Sequence, residues 1–425
     1  MTSTAHSQPR LRPVESFPVS QPGGEVAFAL RDPEGFAGSI LLPHAAATLA
    51  SWMDGTRTYA DLQETFRRRF SQTLDLQVIE QLVRDLDERW FLDNDRFRSR
   101  WKAEIERYLN SPSRPAAHAG AAYFDREDRL RAQLAALFSG EKGPGLPAPA
   151  PAGARAARLC GVLSPHIDLH RGGSTFAWAY KRLVEESDAD VFVIFGTAHN
   201  PMRNLFSVTR KNFETPLGTV QTDRKFIARL TANLAATPGG RELNLAADEL
   251  AHRQEHSIEF QVIFLQYLLG DHRPFTIVPV LTGSFHEFIT RKSSPAESPE
   301  VLAFVEAMRK TAAEYAGRVC YISSGDLAHI GQRFGDRKFL NTTRLQDQAQ
   351  NDRELLEAAC RPDADSFFQH VASGGDRHRI CGLSPTYTLL KVTEPKRGEL
   401  LKYDQAVELD GTACVSFASA AFYDG

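Results

Sequence analysis

The chain has 425 residues, of which 42% are hydrophobic and 24% charged, and its formal net charge at pH 7 is −3. This composition is typical of a globular protein of two or three domains, and it excludes a disordered or disulfide-stapled chain. The balanced charge gives no reason to expect nucleic acid or an anionic membrane as a partner. With five cysteines, no CxxC pair and no apolar signal or spanning segment, we expect a cytoplasmic protein.

The first 100 residues predict a disordered terminus followed by a small helical domain. Residues 1–25 are polar and rich in proline, and we expect them to be disordered. Over residues 26–100, capping and apolar periodicity predict three helices: Leu41–Met53, Thr58–Phe70 with a capping box at its start, and a third that ends near Glu88. Trp90-Phe91-Leu92 predicts a short strand, so the segment indicates a winged-helix-like domain.

The rest of the chain, residues 114–425, predicts an α/β domain. Residues 141–158 are rich in proline, alanine and glycine, which indicates a linker or an exposed loop. Beyond them the pattern alternates between strand and helix, as in a sheet covered by helices. The predicted strands are Leu159–Leu163, Val191–Phe195, Thr276–Leu281 and Val319–Ser323, and the helices include Ser174–Glu186, Phe260–Leu269 and Pro299–Tyr315.

Three histidines follow predicted strands of this domain. His166, His199 and His329 each lie in the loop after a strand, and open α/β sheets place their sites at strand carboxyl ends. We therefore predict that the three share one site. Asp326, three residues before His329, could orient a ligand, bind a metal or serve with His329 as acid and base. A hydrogen-bonded Asp–His surface pair is the alternative.

Two further segments are candidates for the same site. Glu255 and His256 form the polar head of an apolar helix, and Cys381 precedes a helix for which Ser384 is the predicted N-cap and Pro385 the first residue. The positive end of the helix dipole lowers the pKa of a thiol and favours the thiolate that binds metal. Imidazoles with a thiolate suit iron, copper or zinc. For Cys381 the alternative is a small core residue.

A local motif offers a different chemistry. His252-Arg-Gln-Glu255-His256 has the H-x-x-E-H form of the inverted zinc peptidases. On one helix, His252 and His256 would share a face and could bind Zn²⁺, with Glu255 as the base. Because so short a pattern can arise by coincidence among 13 histidines, a zinc hydrolase is the second-ranked metal hypothesis.

From about Arg114 to its end, the chain resembles the Memo family, including the branch called AmmeMemoRadiSam system protein B. The segments that carry the resemblance occur in the family's order and spacing. They include Arg114-Pro-Ala-Ala-His118-Ala-Gly, Ser164-Pro-His166, Gly196-Thr-Ala-His199, Glu255-His-Ser-Ile-Glu259, Asp326-Leu-Ala-His329 and Ile380-Cys-Gly382.

The resemblance implies a fold like that of the class III extradiol dioxygenases, which use non-haem iron(II). It implies His166, His199 and Cys381 as the metal ligands. The same pocket would be lined by Asp326, His329, Glu255 and His256. The dioxygenases have a carboxylate where this chain has a cysteine, so dioxygenase activity itself is not carried over. The leading hypothesis is a redox or oxygen-activating protein in which His166, His199 and Cys381 hold iron or copper. A non-catalytic protein that binds a peptide or partner in this pocket is the alternative.

The N-terminal domain resembles the PqqD-like peptide-recognition module. The resemblance rests on Asp32-Pro33, Leu41-Leu42-Pro43 and Met53-Asp-Gly-Thr-Arg-Thr58. Such modules bind a peptide or a partner enzyme, often in radical-SAM pathways, so both resemblances imply a radical-SAM partner. An exposed strand edge could accept a peptide by strand addition. A structural cap on the α/β domain is the alternative.

Overall fold

The structure is a computed structural model that describes residues 8–21, 24–148 and 158–424. The chain divides into two compact units, with the boundary between Asn110 and Ser111. Half of the predicted linker at 141–158, namely residues 149–157, lies outside the described residues. In the described part of the chain, no helix is long and apolar enough to cross a bilayer.

The N-terminal unit combines a small antiparallel sheet with helices. Its strands are β1 (Glu15–Ser20), β2 (Val26–Arg31) and β3 (Ile40–Pro43), hydrogen-bonded in that order. Its helices are α1 (His44–Ser51), α2 (Tyr59–Phe70), α3 (Leu76–Glu88) and α4 (Asp95–Asn110). The core of this unit includes Leu49, Leu62, Phe66, Ile79 and Phe91.

Local sequence signals place the second and third helices correctly. Thr58 and Asp61 form the predicted capping box, in which each side chain accepts the other's backbone N–H. Helix α3 ends at Glu88, as predicted. The predicted start of the first helix at Leu41 is wrong, because Ile40–Pro43 pair with β2 as a strand.

Two further predictions for this unit are wrong. Within the segment 1–25 that was expected to be disordered, Glu15–Ser20 form β1 by pairing with β2; residues 1–7 lie outside the described residues. Trp90-Phe91-Leu92 is not a strand, since Trp90 has a φ of 68° and, among the described residues, Leu92 forms a single isolated bridge, with Leu11. The apolar character of this segment reflects burial and not strand pairing, since Phe91 lies in the core of the unit. The winged-helix-like and PqqD-like interpretations stay predictions.

The C-terminal unit is an α/β structure. It contains, in chain order, β4 (Ser113–Arg114), α5 (Glu127–Ser139), β5 (Leu159–Ser164), α6 (Leu169–Glu186), β6 (Val191–Thr197), β7 (Phe206–Val208), β8 (Asn212–Thr215), β9 (Gly218–Val220), α7 (Arg224–Ala236), α8 (His256–Leu269), β10 (Thr276–Thr282), α9 (His286–Arg291), α10 (Pro299–Glu314), β11 (Val319–Ser324), β12 (His329–Ile330), α11 (Thr342–Cys360), α12 (Ala364–Ser373), α13 (Leu383–Thr393), β13 (Arg397–Val407) and β14 (Cys414–Tyr423).

The main sheet has its four predicted strands at its centre. The strand order is β12-β14-β5-β11-β6-β10-β7, and β13 pairs with β14. Strands β5, β11, β6 and β10 run parallel and are almost entirely buried. Parallel strands are covered on both faces, which explains their continuous apolar sequences. The α/β prediction for this part of the chain is confirmed.

Side chains alternate between two cores on opposite faces of this sheet. On β6, Val193 and Phe195 belong to one core, together with residues of α7, α10 and α13. Phe192 and Ile194 belong to the other, together with residues of α5, α6 and α8. This alternation is the period-2 pattern of a strand. Because both faces are covered, the accessible polar groups of the central strands lie at their ends.

Candidate metal centre

Three loops bring polar side chains to one edge of the main sheet. His166, His199 and Asp326 each lie two residues after a central strand, namely β5, β6 and β11. Strand β11 is hydrogen-bonded to both β5 and β6, and all three run parallel. Their carboxyl ends therefore lie side by side, and so do the residues that follow them.

The loop before α13 brings Cys381 to the same edge. Its contact with the loop after β11 is so close that a Cβ atom on Gly325 would lie 2.3 Å from the Cα atom of Gly382. The backbone N–H of Gly382 donates to the carbonyl of Asp326 at 2.8 Å. The hydroxyl of Thr197 donates to the carbonyl of Cys381 at 3.1 Å. The two glycines are required because a side chain at either position would separate the loops.

His166 lies at the centre of the site. Its Nδ1 lies 3.1 Å from the carbonyl of Ser324, which can only accept, so Nδ1 carries the proton and Nε2 keeps its lone pair. That Nε2 lies 3.2 Å from Sγ of Cys381 and 3.7 Å from Oδ2 of Asp326. Burial lowers the pKa of His166 to about 3. The ring is therefore neutral, the form in which histidine binds metal.

Glu255 contacts two more histidines and is hydrogen-bonded through its side chain to one of them, His199. Its Oε1 lies 3.0 Å from Nδ1 of His199 and 3.3 Å from Nδ1 of His256. The same carboxylate accepts the backbone N–H groups of His199 and Ser257, at 2.9 and 3.0 Å. Carboxylates commonly hold metal-binding imidazoles in this way. The rings of His199 and His256 stack with centroids 4.6 Å apart, and the His166 centroid lies 5.0 and 5.2 Å from theirs.

The charges in this cluster support one another. Burial would raise the pKa of Glu255, but His199 and His256 hold it well below its usual range, so the side chain is a carboxylate. Burial would lower the pKa of His199, but the Glu255 carboxylate outweighs burial and raises it. For His256, burial prevails and lowers the pKa well below its usual range. The buried Glu255 anion thus favours protonation of His199, while burial favours the neutral rings of His166 and His256.

Two overlapping groups of residues could hold a metal ion. Within each group the ligand atoms lie within 4.8 Å of one another, and the groups are His166, His199 and His256, and His166, Asp326 and Cys381. These are the groups found among the described residues. Neither of them contains both His199 and Cys381. The ligand set implied by the resemblance therefore takes one member from each. Imidazole, carboxylate and thiol donors fit iron, copper or zinc.

The surroundings of Cys381 differ in detail from the prediction. Helix α13 begins at Leu383 with Gly382 as its N-cap, so the predicted N-cap, Ser384, is wrong. Ser384 instead shares a hydrogen bond with Thr282 at 3.1 Å. Cys381 does precede the helix, but burial raises the pKa of its thiol well above the usual range, and Asp326 adds to this effect. The predicted lowering of this pKa is wrong for the thiol alone, although a bound cation would favour the thiolate.

Asp326 lies beside His166, and His329 stands three residues further along the chain. Nδ1 of His329 lies 3.2 Å from the carbonyl of Leu327 and 3.1 Å from that of Arg379, so Nδ1 carries the proton. His329 is half-buried and belongs to neither group of ligand residues. Burial raises the pKa of Asp326, although His329 opposes the shift. An acid that keeps its proton more readily beside an imidazole suits proton transfer.

The structure does not bring His252 to this site. His252 ends a 3-10 helix, Glu249–His252, and α8 begins only at His256, so the two histidines do not share a helix face. Nε2 of His252 lies 3.2 Å from the hydroxyl of Ser207, and the ring is buried. The zinc-peptidase hypothesis requires both histidines on one helix, and this geometry contradicts that requirement.

A buried ion pair holds the backbone next to Glu255. Arg114 and Glu259 lie 2.5 Å apart, and both side chains are fully buried. Arg114 also donates to the carbonyls of His252 and Glu255, each at 2.6 Å. Glu259 accepts the backbone N–H of His118 at 3.0 Å. Arg114 therefore fixes the backbone that presents Glu255. Both residues stand in segments that resemble the Memo family, but their spacing in the sequence gives no sign that they pair.

Comparisons with known proteins agree with this architecture. A family model described as "Memo-like protein" matches residues 114–421. A MEMO1 family protein of Aquifex aeolicus is 28% identical over 416 residues, which are 97% of this chain and 100% of that protein. A MEMO1 family protein of Methanopyrus kandleri is 29% identical over 73% of this chain and 99% of its own length. A MEMO1 family protein of Methanosarcina barkeri is 26% identical over 72% of this chain and 98% of its own length.

Proposed function

The chain belongs to the Memo family, whose α/β fold is like that of the class III extradiol dioxygenases, and on this premise we propose that it is an iron- or copper-binding redox or oxygen-activating protein. The observation that carries the proposal is the position of His166, which belongs to both groups of potential ligands and whose Nδ1 is occupied by the carbonyl of Ser324, so that Nε2 is the nitrogen left to bind a metal. Family membership alone supports a common fold, and the donor set supports a transition metal. The redox role is the part that needs a test.

The residues of the cluster have two proposed roles, metal binding and the orientation of the ligands. His166, His199 and Cys381 hold the metal, as the family resemblance implies, and Glu255 fixes the ring of His199 through Nδ1. A metal bound there supplies Lewis acidity and, if it is iron or copper, one-electron chemistry. Asp326 stands beside His166, and its Oδ1 accepts a hydrogen bond from the backbone N–H of His166 at 2.9 Å.

An oxygen-exposure assay on the metal-loaded chain tests this function. The full chain is loaded anaerobically with Fe²⁺ or Cu⁺ and then exposed to oxygen, while oxygen consumption and electron paramagnetic resonance are followed. We expect the bound metal to be oxidised and to change its signal in a His166-dependent way. A chain that binds only Zn²⁺, or whose iron or copper does not respond, would support the non-catalytic binding alternative instead.

We expect His329→Ala to separate metal binding from turnover. His329 lies in neither group of ligands, so the variant should keep the metal stoichiometry of the wild type. If His329 transfers a proton during turnover, its loss lowers the rate by about 10²–10⁴-fold. Elemental analysis and the oxygen assay measure the two effects on the same sample. Complete loss of metal in this variant would make His329 a ligand and overturn its assignment.

We also propose that the N-terminal unit recognises a peptide or a radical-SAM enzyme. With free thiols and such a partner, we propose a cytoplasmic location. Strand β1 lies at an edge of its sheet and pairs only with β2 among the described residues. Phe17 on this strand is 38% exposed. Backbone groups on such an edge can bind an extended peptide.

Removal of residues 1–110 tests this recognition role. The shortened chain should keep its metal and lose binding to a radical-SAM enzyme or its peptide in a pull-down. The full chain with Phe17→Glu, which alters the same edge without removing the unit, should also bind less. If the shortened chain aggregates or loses its metal, the unit is a structural part of the protein and the recognition role lacks support.

A further inference from the structure

We infer that Ser164, Thr175 and Ser419 form a binding site for a buried water molecule between helix α6 and the main sheet. The site goes beyond the proposed metal function and does not depend on it. All three side chains are 0% exposed. Among the described residues, theirs are the three buried hydroxyl groups without a hydrogen-bond partner. A buried hydroxyl without a partner is costly in free energy, so folded proteins satisfy it from the chain or with ordered water.

The two serines are neighbours on the face of the sheet that α6 covers. Ala421 of β14 lies opposite Val162 of β5, and both belong to the core on the α6 side. Two residues further along each strand, the same antiparallel register places Ser419 opposite Ser164. Because side chains alternate along a strand, these serines project from the same face as Ala421 and Val162. Cβ atoms of opposite residues are about 4.5–5.5 Å apart, a spacing that a bridging water spans.

Thr175 lies level with this pair of serines. Helix α6 connects the parallel strands β5 and β6, so it runs back along the sheet in the direction of β14. A Cβ atom on Gly172 would lie 3.4 Å from the ring of Phe417, and Gly173 faces α5. Thr175, two residues after Gly173, lies on the opposite flank of the helix. It is about 4.5 Å along α6 from Gly172, and Ser419 is about 6.6 Å along β14 from Phe417.

The hydroxyl of Thr175 differs from those of other buried helical threonines. Thr311 and Thr388 are each 0–1% exposed, and each donates to the carbonyl four residues earlier at 2.7 Å. This local bond is the usual solution for a threonine inside a helix. Among the described residues, Thr175 has neither this bond nor another partner. Its hydroxyl is therefore available to a ligand in the interior.

The neighbouring strand shows how such a serine is satisfied when a long side chain faces it. Ser324 of β11 lies opposite Ser164, and its hydroxyl accepts from Nε2 of Gln261 on α8 at 2.8 Å. On the α6 side Thr175 takes this place, and its shorter side chain bonds to neither serine. A water with three hydroxyl partners has the number of hydrogen bonds typical of buried water. Each hydroxyl can donate or accept, so the water can satisfy all three.

A high-resolution crystal structure of the full chain tests the site directly. We expect one isolated peak of electron density at about 2.5–3.0 Å from the three hydroxyl oxygens. Hydroxyl groups that bond to one another or to the backbone, with no density among them, would overturn the inference. Neither result bears on the metal centre, whose test is the metal content of the chain.

Thr175→Val tests the site in solution through the sign of its effect. Valine has the shape of threonine without the hydroxyl, so the water loses a partner, and we expect the melting temperature of the full chain to fall by roughly 1–4 °C. If the hydroxyl had no partner at all, the same change would remove an unsatisfied group and raise the melting temperature, which would overturn the inference. Thr388→Val is the control, because its hydroxyl already bonds within its helix. A loss no larger than that of the control would also contradict the water site.

A double-mutant cycle tests whether the hydroxyls share one ligand. Thr175→Val and Ser419→Ala are made singly and together, and the melting temperature of each full chain is measured. If one water joins the two side chains, the double variant should lose less stability than the sum of the single variants. Strictly additive losses would show that the two hydroxyls have no common partner and would overturn the inference.

Discussion

His166→Ala is expected to abolish stoichiometric metal binding. His166 belongs to both groups of potential ligands, and its Nε2 is the atom that they share. The side chain is 2% exposed, and both groups lose a member when it is removed. Elemental analysis of the purified variant, after incubation with Fe²⁺ or Cu⁺, should find no bound ion, whereas the wild type retains one.

A nearby histidine provides the control for this variant. His170 lies on the first turn of α6, four residues after His166, but it is exposed and belongs to neither group. His170→Ala should therefore bind metal as the wild type does. Bound zinc that persists in His166→Ala and is lost in His252→Ala would contradict our account and would restore the zinc-hydrolase hypothesis.

Glu259→Gln is expected to destabilise the C-terminal unit by about 3–5 kcal/mol, because it leaves the buried guanidinium of Arg114 without its counter-charge. Chemical denaturation of the full chain measures the change in the free energy of unfolding. Glu357→Gln is the matched control, since its partner Arg361 and Glu357 itself are 78% and 64% exposed. Loss of such an exposed pair costs at most about 1 kcal/mol.

The same substitution should change how stability depends on pH. Burial would raise the pKa of Glu259, but Arg114, with His118 and Tyr123, holds the pKa below its usual value. A carboxylate of this kind stabilises the fold above its unfolded pKa of about 4.3, and this contribution is lost as the pH falls through the folded-state value. Below about pH 4.3, the difference in stability between wild type and Glu259→Gln should therefore shrink. A constant difference would show that the pair is not the cause.

The sequence predicts the α/β unit well because its signals are local. Apolar runs such as Val191–Phe195 and Val319–Ser323 form the buried parallel strands, and a strand end fixes where the next loop residue emerges. His166, His199 and Asp326 could therefore be placed at one edge from spacing alone. The capping box at Thr58 succeeds for the same reason, since its two hydrogen bonds join residues three positions apart.

The remaining features depend on contacts between distant segments. The distinction between His252 and His256 depends on where α8 begins, and Arg114 fixes that turn from 138 and 141 residues away. The hydrogen bond between Glu255 and His199 depends on the packing of α8 beside β6. Trp90-Phe91-Leu92 has the composition of a strand, but within the described part of the chain the segment has no partner strand beyond one isolated bridge. Sequence patterns show which residues are apolar and not which neighbours they meet.

The metal content of the full-length protein tests the central claim most directly. The chain should be purified without chelator under reducing conditions, incubated with Fe²⁺, Cu⁺ or Zn²⁺, separated from free metal and analysed for metal and protein together. We predict one tightly bound ion per chain, removed by a chelator and restored by adding the metal back. A folded chain that retains no stoichiometric metal under any of these conditions would contradict the assignment of this cluster as a metal centre.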